Sequence, residues 1–203
     1  MTSEPSPGAA GSGAPERHLT SAQEMRALTH PVRLALLEVL HMEGPMTATQ
    51  AGEAIGESAT TCSFHLRQLE KYGFVEEAGG GAGRRRPWRL VSRSMNFSGA
   101  GDAERSIAAG ELAQLIFRRW LERYEAWSRV QDLDPAWAEV SGMAQSGNYL
   151  TLEEAAELRG EVLALFRRHA ERVEDPSRRP AGARAVEMAF FLNPITGMPA
   201  EER

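Results

Sequence analysis

The sequence has 203 residues, of which 42% are hydrophobic and 25% are charged, and its formal net charge is −5. This is the composition of an ordinary globular protein that can bury a core, and the charge argues against a uniformly basic nucleic-acid binder. No apolar run approaches the length of a membrane span. The single cysteine, Cys62, excludes an intrachain disulfide and indicates a reducing, cytoplasmic location.

The charge is distributed unevenly along the chain. Residues 1–98 carry ten acidic and ten basic side chains, whereas residues 99–203 carry eighteen acidic and thirteen basic ones. The first half contains a local basic cluster, formed by Arg84, Arg85, Arg86, Arg89 and Arg93. Because the local field decides where a polyanion docks, the first half is where we expect nucleic acid to bind.

The N-terminal segment predicts a disordered tail over residues 1–18. It is rich in Pro, Gly, Ser and Ala, and it lacks the basic and apolar regions of a secretory signal. A first helix follows in LTSAQEMRAL, capped by Thr20 with Gln23 or by Ser21 with Glu24 and closed by Leu28.

Three further helices are predicted before residue 74. HPVRLALLEVLHMEGP places Pro31 in a first helical turn and ends at Gly44-Pro45. TATQAGEAIG has Thr47 and Gln50 as a capping pair and ends at Gly56. The fourth helix runs from Ser58 to Gly73. Helices three and four, joined by a tight turn, have the spacing of a helix-turn-helix.

The fourth helix has two unlike faces on a 3.6-residue wheel. Cys62, Leu66 and Leu69 form a core stripe, with His65 at its border. The opposite face carries hydroxyls, an amide, an aromatic ring and two cations, from Thr60, Thr61, Ser63, Phe64, Arg67, Gln68 and Lys71. FVEEA and PWRLV then predict two short strands around GGGAGRRR, which together form a β-hairpin wing.

The remainder, residues 99–203, is predicted to be mainly helical. A long helix from Asp102 to about Val130 has apolar residues around much of its circumference, so we expect more than one covered face. Asp134-Pro135 starts a short helix that carries Trp137. Thr151 with Glu154 caps another, whose core spacing comprises Ala155, Leu158, Val162, Leu165 and Phe166. ARAVEMAFFL predicts a final strand.

The order of these elements resembles the winged helix-turn-helix of ArsR-type bacterial repressors. The specific match is SATTCSFHLRQLEKYGFVE, similar to the family signature Ser–x–His–Leu–x–x–Leu–x–x–x–Gly–(Leu/Phe)–Val at Ser63, His65, Leu66, Leu69, Gly73, Phe74 and Val75. LTHPVRLALLEVL resembles the helix that opens the family's domain, and the likeness covers about residues 19–95. It implies a homodimer that binds a two-fold symmetric operator and releases it when an effector binds.

The residues themselves agree with DNA binding. An exposed helix fits the major groove, where its N-terminal half reaches base edges, and arginines on a wing pair with phosphates or enter a narrow minor groove. The candidate DNA contacts are Ser58, Thr60, Thr61, Ser63, Phe64, Arg67, Gln68, Lys71, Arg84, Arg85 and Arg86. The predicted fold is therefore mainly α with a small β component: a winged helix-turn-helix over 19–98, then a helical dimerisation or effector-binding region over 99–203.

Other classes of function are less well supported. Relatives that sense metals use cysteines on the third helix, where this chain has Thr47 and Thr49, which are poor ligands for soft metals. Cys62 and His65 alone do not complete a tetrahedral metal site, and Cys62 fits a core residue better than a redox sensor. No phosphate-binding loop, nucleophile elbow or zinc motif indicates an enzyme, and no cofactor is expected.

The aromatic residues of the C-terminal half leave two interpretations open. They fill a core and a dimer interface, or they line a pocket for a small apolar effector, with Phe117, Trp120, Tyr124, Trp127, Trp137 and Phe166 as candidate ligand-binding residues. The alternative is a regulator without a ligand, whose C-terminal region only dimerises or binds a protein partner. No membrane partner is expected.

Overall fold

The structure is a computed structural model that describes residues 17–79, 86–93, 95–130 and 134–195. The described residues fall into two compact units, one ending at Val130 and the other beginning at Asp134. The first unit consists of β1 (Arg17–Leu19), α1 (Ala22–Leu28), α2 (Pro31–Glu43), α3 (Ala48–Ile55), α4 (Ala59–Lys71), β2 (Val75–Glu77), β3 (Trp88–Leu90), β4 (Met95–Phe97) and α5 (Ala103–Ser128).

The helix starts follow the predicted capping signals. At α1 the capping box is Ser21 with Glu24, and Thr20 lies outside it. His30 caps α2, where its Nδ1 accepts a hydrogen bond from the Val32 N–H at 3.2 Å. Thr47 and Gln50 form the predicted box at α3. Each cap satisfies an N–H that the helix leaves without an internal partner, and so sets where the helix begins.

A tight turn joins α3 to α4. Gly56 ends α3 in the left-handed region, with φ of 73°, which a residue without a Cβ adopts at little cost. Gly52 allows the close approach that follows, because a Cβ there would lie 2.5 Å from the Glu57 carbonyl oxygen. The two glycines bring α3 and α4 together as a helix-turn-helix, as predicted.

The core of the first unit lies between its helices and under the hairpin. Its innermost side chains come from β1, from four of the five helices (α1, α2, α4 and α5) and from the hairpin: Leu19, Met25, Leu36, Leu40, Cys62, Leu66, Leu69, Val75 and Leu112. The predicted inner stripe of α4 is confirmed, since Cys62, Leu66 and Leu69 are fully buried.

Two strand pairs accompany the helices. The predicted hairpin is confirmed, with β2 and β3 antiparallel and Val75 opposite Leu90; most of the glycine loop between them lies outside the described residues. The second pair was not predicted: β1 lies parallel to β4, with Arg17 opposite Met95. Arg17 and His18, which the sequence analysis places in the tail, therefore belong to a strand.

Helix α5 matches its predicted span, with Asp102 as its N-cap. Ala108, Ala109 and Leu112 are buried, and α5 packs against α1, so this compact unit extends past residue 98. The expectation that more than one face of α5 is covered is wrong for the single chain, because large apolar side chains remain exposed on it, including Ile107, Phe117 and Leu121.

No helix within the described ranges is long and apolar enough to cross a membrane.

The second unit contains α6 (Pro135–Val140), α7 (Leu152–Arg167), α8 (Glu171–Glu174) and a 3₁₀ turn (Pro176–Arg178). Trp137 lies on α6, and Thr151 with Glu154 forms the predicted capping box of α7. The predicted core face of α7 is not buried: no α7 side chain is, and Leu165 is 49% exposed.

The predicted final strand is wrong. Residues 183–195 form neither helix nor strand, although ARAVEMAFFL has the composition of one. A strand needs a neighbour to pair its backbone groups, and residues 134–195 contain no other strand. Propensity alone therefore does not produce a strand here.

Candidate nucleic-acid interface

The first turn of α4 is built around Ser58. The Thr61 N–H donates to Ser58 Oγ at 3.0 Å, and the two hydroxyl oxygens lie 2.8 Å apart. In the chain alone, Ser58 and Thr61 are therefore occupied with holding the helix start. Thr60, between them, is exposed and makes no such contribution to the cap.

The outer face of α4 presents the side chains predicted for it. The exposed side chains are Thr60, Phe64, Arg67 and Lys71. Phe64 is 59% exposed although its ring is apolar. Three predicted residues at the borders are half-buried: Thr61, Ser63 and Gln68. The helix thus combines a fully buried stripe with an exposed face of hydroxyl, aromatic and cationic groups, which match the hydrogen-bonding edges, thymine methyls and phosphates of a major groove.

Phe64 rests on a histidine pair beneath the exposed face. The His65 ring packs edge-on against Phe64 at 5.1 Å, and its other neighbour is His30 at 4.4 Å. His65 is buried, and its Nδ1 has no hydrogen-bond partner within the described ranges. Burial lowers the pKa of His65, and the positive charges of His30 and Arg33 lower it further, against an opposing effect of Glu57. The uncharged ring is therefore the form that fits beneath Phe64.

The wing arginines that the structure describes are paired with the wing's own acids. Arg86 lies 2.7 Å from Glu77, and Arg89 lies 2.6 Å from Glu76, in both cases with substantial solvent exposure. Arg84 and Arg85, the other two predicted wing contacts, lie outside the described residues. Exposed ion pairs of this kind exchange partners readily, so a phosphate could replace each glutamate.

Arg93 does not belong with the basic cluster in which the sequence placed it. It is half-buried, and its guanidinium donates to the His41 carbonyl oxygen at 3.1 Å, at the end of α2. Burial of His41, together with the positive charge of Arg93, lowers the pKa of His41. Arg93 therefore holds the end of the wing to the helical core.

Arg17 positions the other end of α4, and sequence reasoning missed it. Its guanidinium donates to the carbonyl oxygens of Gly73 and of Tyr72, the latter at 2.6 Å, and to Glu24 Oε1 at 2.8 Å. It also lies 4.1 Å from the centre of the Phe74 ring. One side chain thus connects the C-terminus of α4 to the start of α1. Only the position of Arg17 shortly before the first capping box, which begins at Ser21, hinted at this role.

Four of the six predicted ligand-binding residues form an aromatic ladder on α5. Successive ring centres are 5.8 Å apart for Phe117 and Trp120, 5.5 Å for Trp120 and Tyr124, and 5.5 Å for Tyr124 and Trp127. The remaining two belong to the second unit. Trp137 packs against the guanidinium of Arg184 there, at 5.5 Å, and Phe166 is half-buried on α7.

Two open depressions lie on the surface of the first unit. One, of about 450 Å³, is lined by Thr29, Pro31, Glu111, Gln114, Leu115, Arg118, Arg119 and Glu122. The other, of about 570 Å³, is lined by Thr20, Ser21, Ala22, Gln23, Arg26, Asp102, Glu104 and Arg105. Neither includes a predicted ligand-binding residue. Within the described ranges, no three His, Cys, Asp or Glu side chains are grouped so that they could hold a metal ion.

The comparison with protein families agrees with this geometry. Residues 28–78, from the end of α1 through β2, match a helix-turn-helix domain family. No curated protein matches the chain. The chain therefore carries a helix-turn-helix domain that continues into a β-hairpin wing.

Similar solved structures include three bacterial regulators. The transcriptional repressor BigR from Xylella fastidiosa is 22% identical, with 48% of this chain and 84% of that chain covered, at a TM-score of 0.30. A MarR family regulator from Neisseria meningitidis is 18% identical, with coverage of 70% and 78%, at 0.30. A MarR family transcriptional regulator from Silicibacter pomeroyi is 20% identical, with coverage of 71% and 76%, at 0.31. Likeness at this level carries no argument about function.

Proposed function

We propose that this protein is a transcriptional repressor of the ArsR type that binds a two-fold symmetric operator as a homodimer. The observation that carries the proposal is the division of α4 into a fully buried stripe and an exposed face within a matched helix-turn-helix domain. Residues 19–98 are assigned to DNA binding and residues 99–203 to dimerisation or effector binding.

The proposed base contacts come from the exposed face of α4. Thr60 and Gln68 can both donate and accept hydrogen bonds, Phe64 suits a thymine methyl, and Arg67 suits a guanine edge. Ser58 and Thr61 already share hydrogen bonds at the helix start, so their contribution to base reading is smaller than that of the other four. Lys71, at the end of the helix, is assigned to phosphate.

The proposed phosphate contacts come from the wing. Arg84, Arg85 and Arg86 give this part of the sequence its positive charge, and contacts to phosphate fix position without reading sequence. Because Arg86 is paired with Glu77 in the chain alone, DNA binding requires that it exchange a carboxylate for a phosphate.

A small apolar effector is the second candidate for the C-terminal half. The aromatic ladder of α5 supports it, since such rings suit an apolar ligand, but neither surface depression is lined by the ladder. The ladder is equally suited to contact another protein chain, because aromatic side chains are common in protein interfaces.

The test of the proposal begins with selection of bound fragments from genomic DNA by the full chain, followed by titration against every single-base variant of the recovered site. Arg67→Ala and Phe64→Ala should each relax the preference at one operator position, at a cost of about 1–3 kcal/mol there. The Arg84→Ala, Arg85→Ala, Arg86→Ala triple variant should weaken all sequences alike and lower the salt slope by roughly 0.9 per lost contact.

The two classes of variant control each other. Recovery of no preferred sequence would contradict the proposed function. A uniform loss of affinity in Phe64→Ala and Arg67→Ala, with no position relaxed, would show that α4 positions the protein without reading bases.

A further inference from the structure

Three aromatic rings connect the exposed face of α4 with the start of α2. The ring centres of Phe64 and His65 are 5.1 Å apart, with the two planes at 75°. The ring of His65 in turn lies 4.4 Å from that of His30, at an interplanar angle of 40°. Edge-on contacts of this kind stabilise a ring pair beyond the area that they bury. The exposed Phe64 is thus supported by a buried ring, and that ring contacts the residue that caps a neighbouring helix.

His30 is the fixed end of this chain of rings. Its Nδ1 accepts a hydrogen bond from the Val32 N–H at 3.2 Å. Its own N–H donates to the Leu28 carbonyl oxygen at 2.7 Å, and its carbonyl oxygen accepts from the Leu34 N–H at 3.1 Å. Backbone and ring are therefore both held in place. Because Nδ1 accepts a hydrogen bond, the ring is uncharged and carries its proton on Nε2.

His65 depends on the same uncharged state. The residue is 9% exposed, and its Nδ1 lies in the interior without a hydrogen-bond partner among the described residues. A positive charge in such a place is costly. The charges that act on the two rings come from Arg33 on α2, which opposes a further positive charge, and from Glu57 in the turn before α4, which favours one. Helices α1 and α3 and strand β2 also pack against α4, but within the described ranges none of their charges is among those that act on either ring.

Protonation would disrupt this arrangement at two points. A proton on Nδ1 of His30 removes the acceptor that caps α2, because both nitrogens of a charged imidazole are donors. A proton on His65 places an unpaired charge in the interior, near the positive charge of Arg33. In either case the ring that supports Phe64 loses its fixed position.

We propose that His30 and His65 are positioning residues for Phe64: an uncharged pair that holds its ring against the base it reads, so that acid removes selectivity at that base. The inference rests on the proposed function, in which Phe64 contacts a thymine methyl. A ring that is free to turn away contacts a correct base and a wrong one equally little, so selectivity requires the support. Arg67 is not part of the chain of rings, and its base contact should not depend on the pair.

The pH dependence has a definite direction. Burial, the largest cause, lowers the pKa of both His30 and His65 below the usual value of 6.5. The pair is therefore uncharged at neutral pH and takes up a proton only as pH falls through the lowered values. Selectivity at the base that Phe64 reads should be complete at neutral pH and lost in mild acid. A positive charge on the pair attracts phosphate, so the affinity for unrelated DNA should not fall at the same time.

The test measures selectivity, with the full chain and its recovered operator. Dissociation constants for the operator and for its single-base variants are compared from about pH 7.5 to about pH 5 at constant ionic strength. At the operator position that Phe64→Ala relaxes, the ratio of the two constants should fall at least about fivefold in acid. At the operator position that Arg67→Ala relaxes, the ratio should stay constant.

Two variants and a control separate support from titration. His65→Phe keeps a ring that cannot take up a proton, so it should retain selectivity at the Phe64 operator position and lose its pH dependence. His30→Asn keeps a capping acceptor but removes the supporting ring, so selectivity there should be low at every pH. His41→Gln is the matched control. The pKa of His41 is also lowered, chiefly by burial, but this residue lies in the last turn of α2, and its variant should reproduce the parent profile.

The parent chain alone can overturn the inference, even where His65→Phe does not fold. Selectivity at the Phe64 operator position that acid leaves unchanged, while far-ultraviolet circular dichroism shows a folded chain, would overturn it and leave the proposed function standing. An equal fall at both operator positions, or a fall that occurs only with loss of the helical signal, would do the same. A folded His65→Phe chain that keeps the parent's pH dependence would assign that dependence to other groups and exclude His65.

Failure of the proposed function gives a different result. If the chain recovers no preferred sequence at any pH, the proposed function itself is contradicted. If it recovers a preferred sequence but Phe64→Ala relaxes no operator position, Phe64 reads no base and the positioning role of the histidine pair is overturned with it.

Discussion

His65 lies beneath the exposed side of α4 in a setting that disfavours its charge. Burial is the main cause of its lowered pKa, and His30 and Arg33 add to it. The pKa values of His30 and His41 are lowered as well, in both cases chiefly by burial. The folded chain therefore binds protons less readily than the unfolded chain does as pH falls below 6.5, the usual value for histidine.

The resulting prediction is a loss of stability in mild acid. The unfolded state takes up protons first, so the free energy of unfolding should fall as pH drops from about 7.5 through 6.5 toward the lowered pKa values. Urea titrations across this range measure the slope. His65→Gln removes one of the titrating groups and should make the slope shallower. Leu66→Ala, which weakens the same helix without removing a titratable group, should keep the full slope; equal slopes in parent and His65→Gln would contradict the argument.

Some single residues could be assigned from sequence and others could not. Cys62, Leu66 and Leu69 were predicted to face inward because helical periodicity alone determines their side. Arg17 could not be assigned, because its partners are two backbone carbonyls at positions 72 and 73, and backbone acceptors leave no signal in the side-chain sequence. Arg93 was misassigned for the same reason, since its partner is the His41 carbonyl oxygen.

At the scale of elements, the wing is partly neutralised by its own strand. Glu76 and Glu77 on β2 form ion pairs with Arg89 and Arg86, so under the proposed function these arginines must leave a carboxylate before they contact a phosphate. Exposed pairs are worth roughly 0.2–1 kcal/mol each, and the carboxylates also repel nearby phosphates.

The double change Glu76→Gln, Glu77→Gln should therefore tighten DNA binding about fivefold at low salt, with the gain shrinking as salt rises. Fluorescence anisotropy with operator and with unrelated DNA measures it, and both should improve alike. Glu104→Gln, which breaks the exposed Arg26–Glu104 pair between α1 and α5, is the matched control. An unchanged or weaker affinity in the double variant would exclude the wing arginines from the phosphate contact.

The elements differ in how well local sequence determines them. Helix starts were predictable because capping boxes such as Thr47 with Gln50 and Thr151 with Glu154 are complete within four residues. The β1–β4 pair and the absent final strand were not, because strand pairing depends on a partner that is distant in sequence. Propensity identified the segment after Gly182 as a strand, but residues 134–195 contain no other strand with which it could pair.

At the scale of the whole molecule, burial is concentrated in one unit. Among the residues that the structure describes, every buried hydrophobic one lies between Leu19 and Leu112, and no described side chain of residues 134–195 is buried. Since stability follows apolar burial, the first unit should be stable without the second.

A chain ending at Val130 should therefore unfold within a few degrees of the full-length protein. It also keeps the aromatic ladder of α5, which suits contact with another chain, so it should remain a dimer and bind the same operator. Calorimetry and sedimentation at matched concentration measure both properties. A large drop in the unfolding temperature would show that the second unit stabilises the first through contacts that its own burial does not reveal.

The parallel pairing of β1 with β4 has a consequence for the order of folding. It joins Arg17 to Met95, about 80 positions apart, whereas the capped helices and the α3–α4 turn form from neighbours in sequence. Because closing a long loop costs entropy before its contacts form, the strand pair should be the last part of the unit to assemble and the first to open. Its backbone amides should exchange with solvent well before those of α4, and each such opening releases β1 while α4 stays folded.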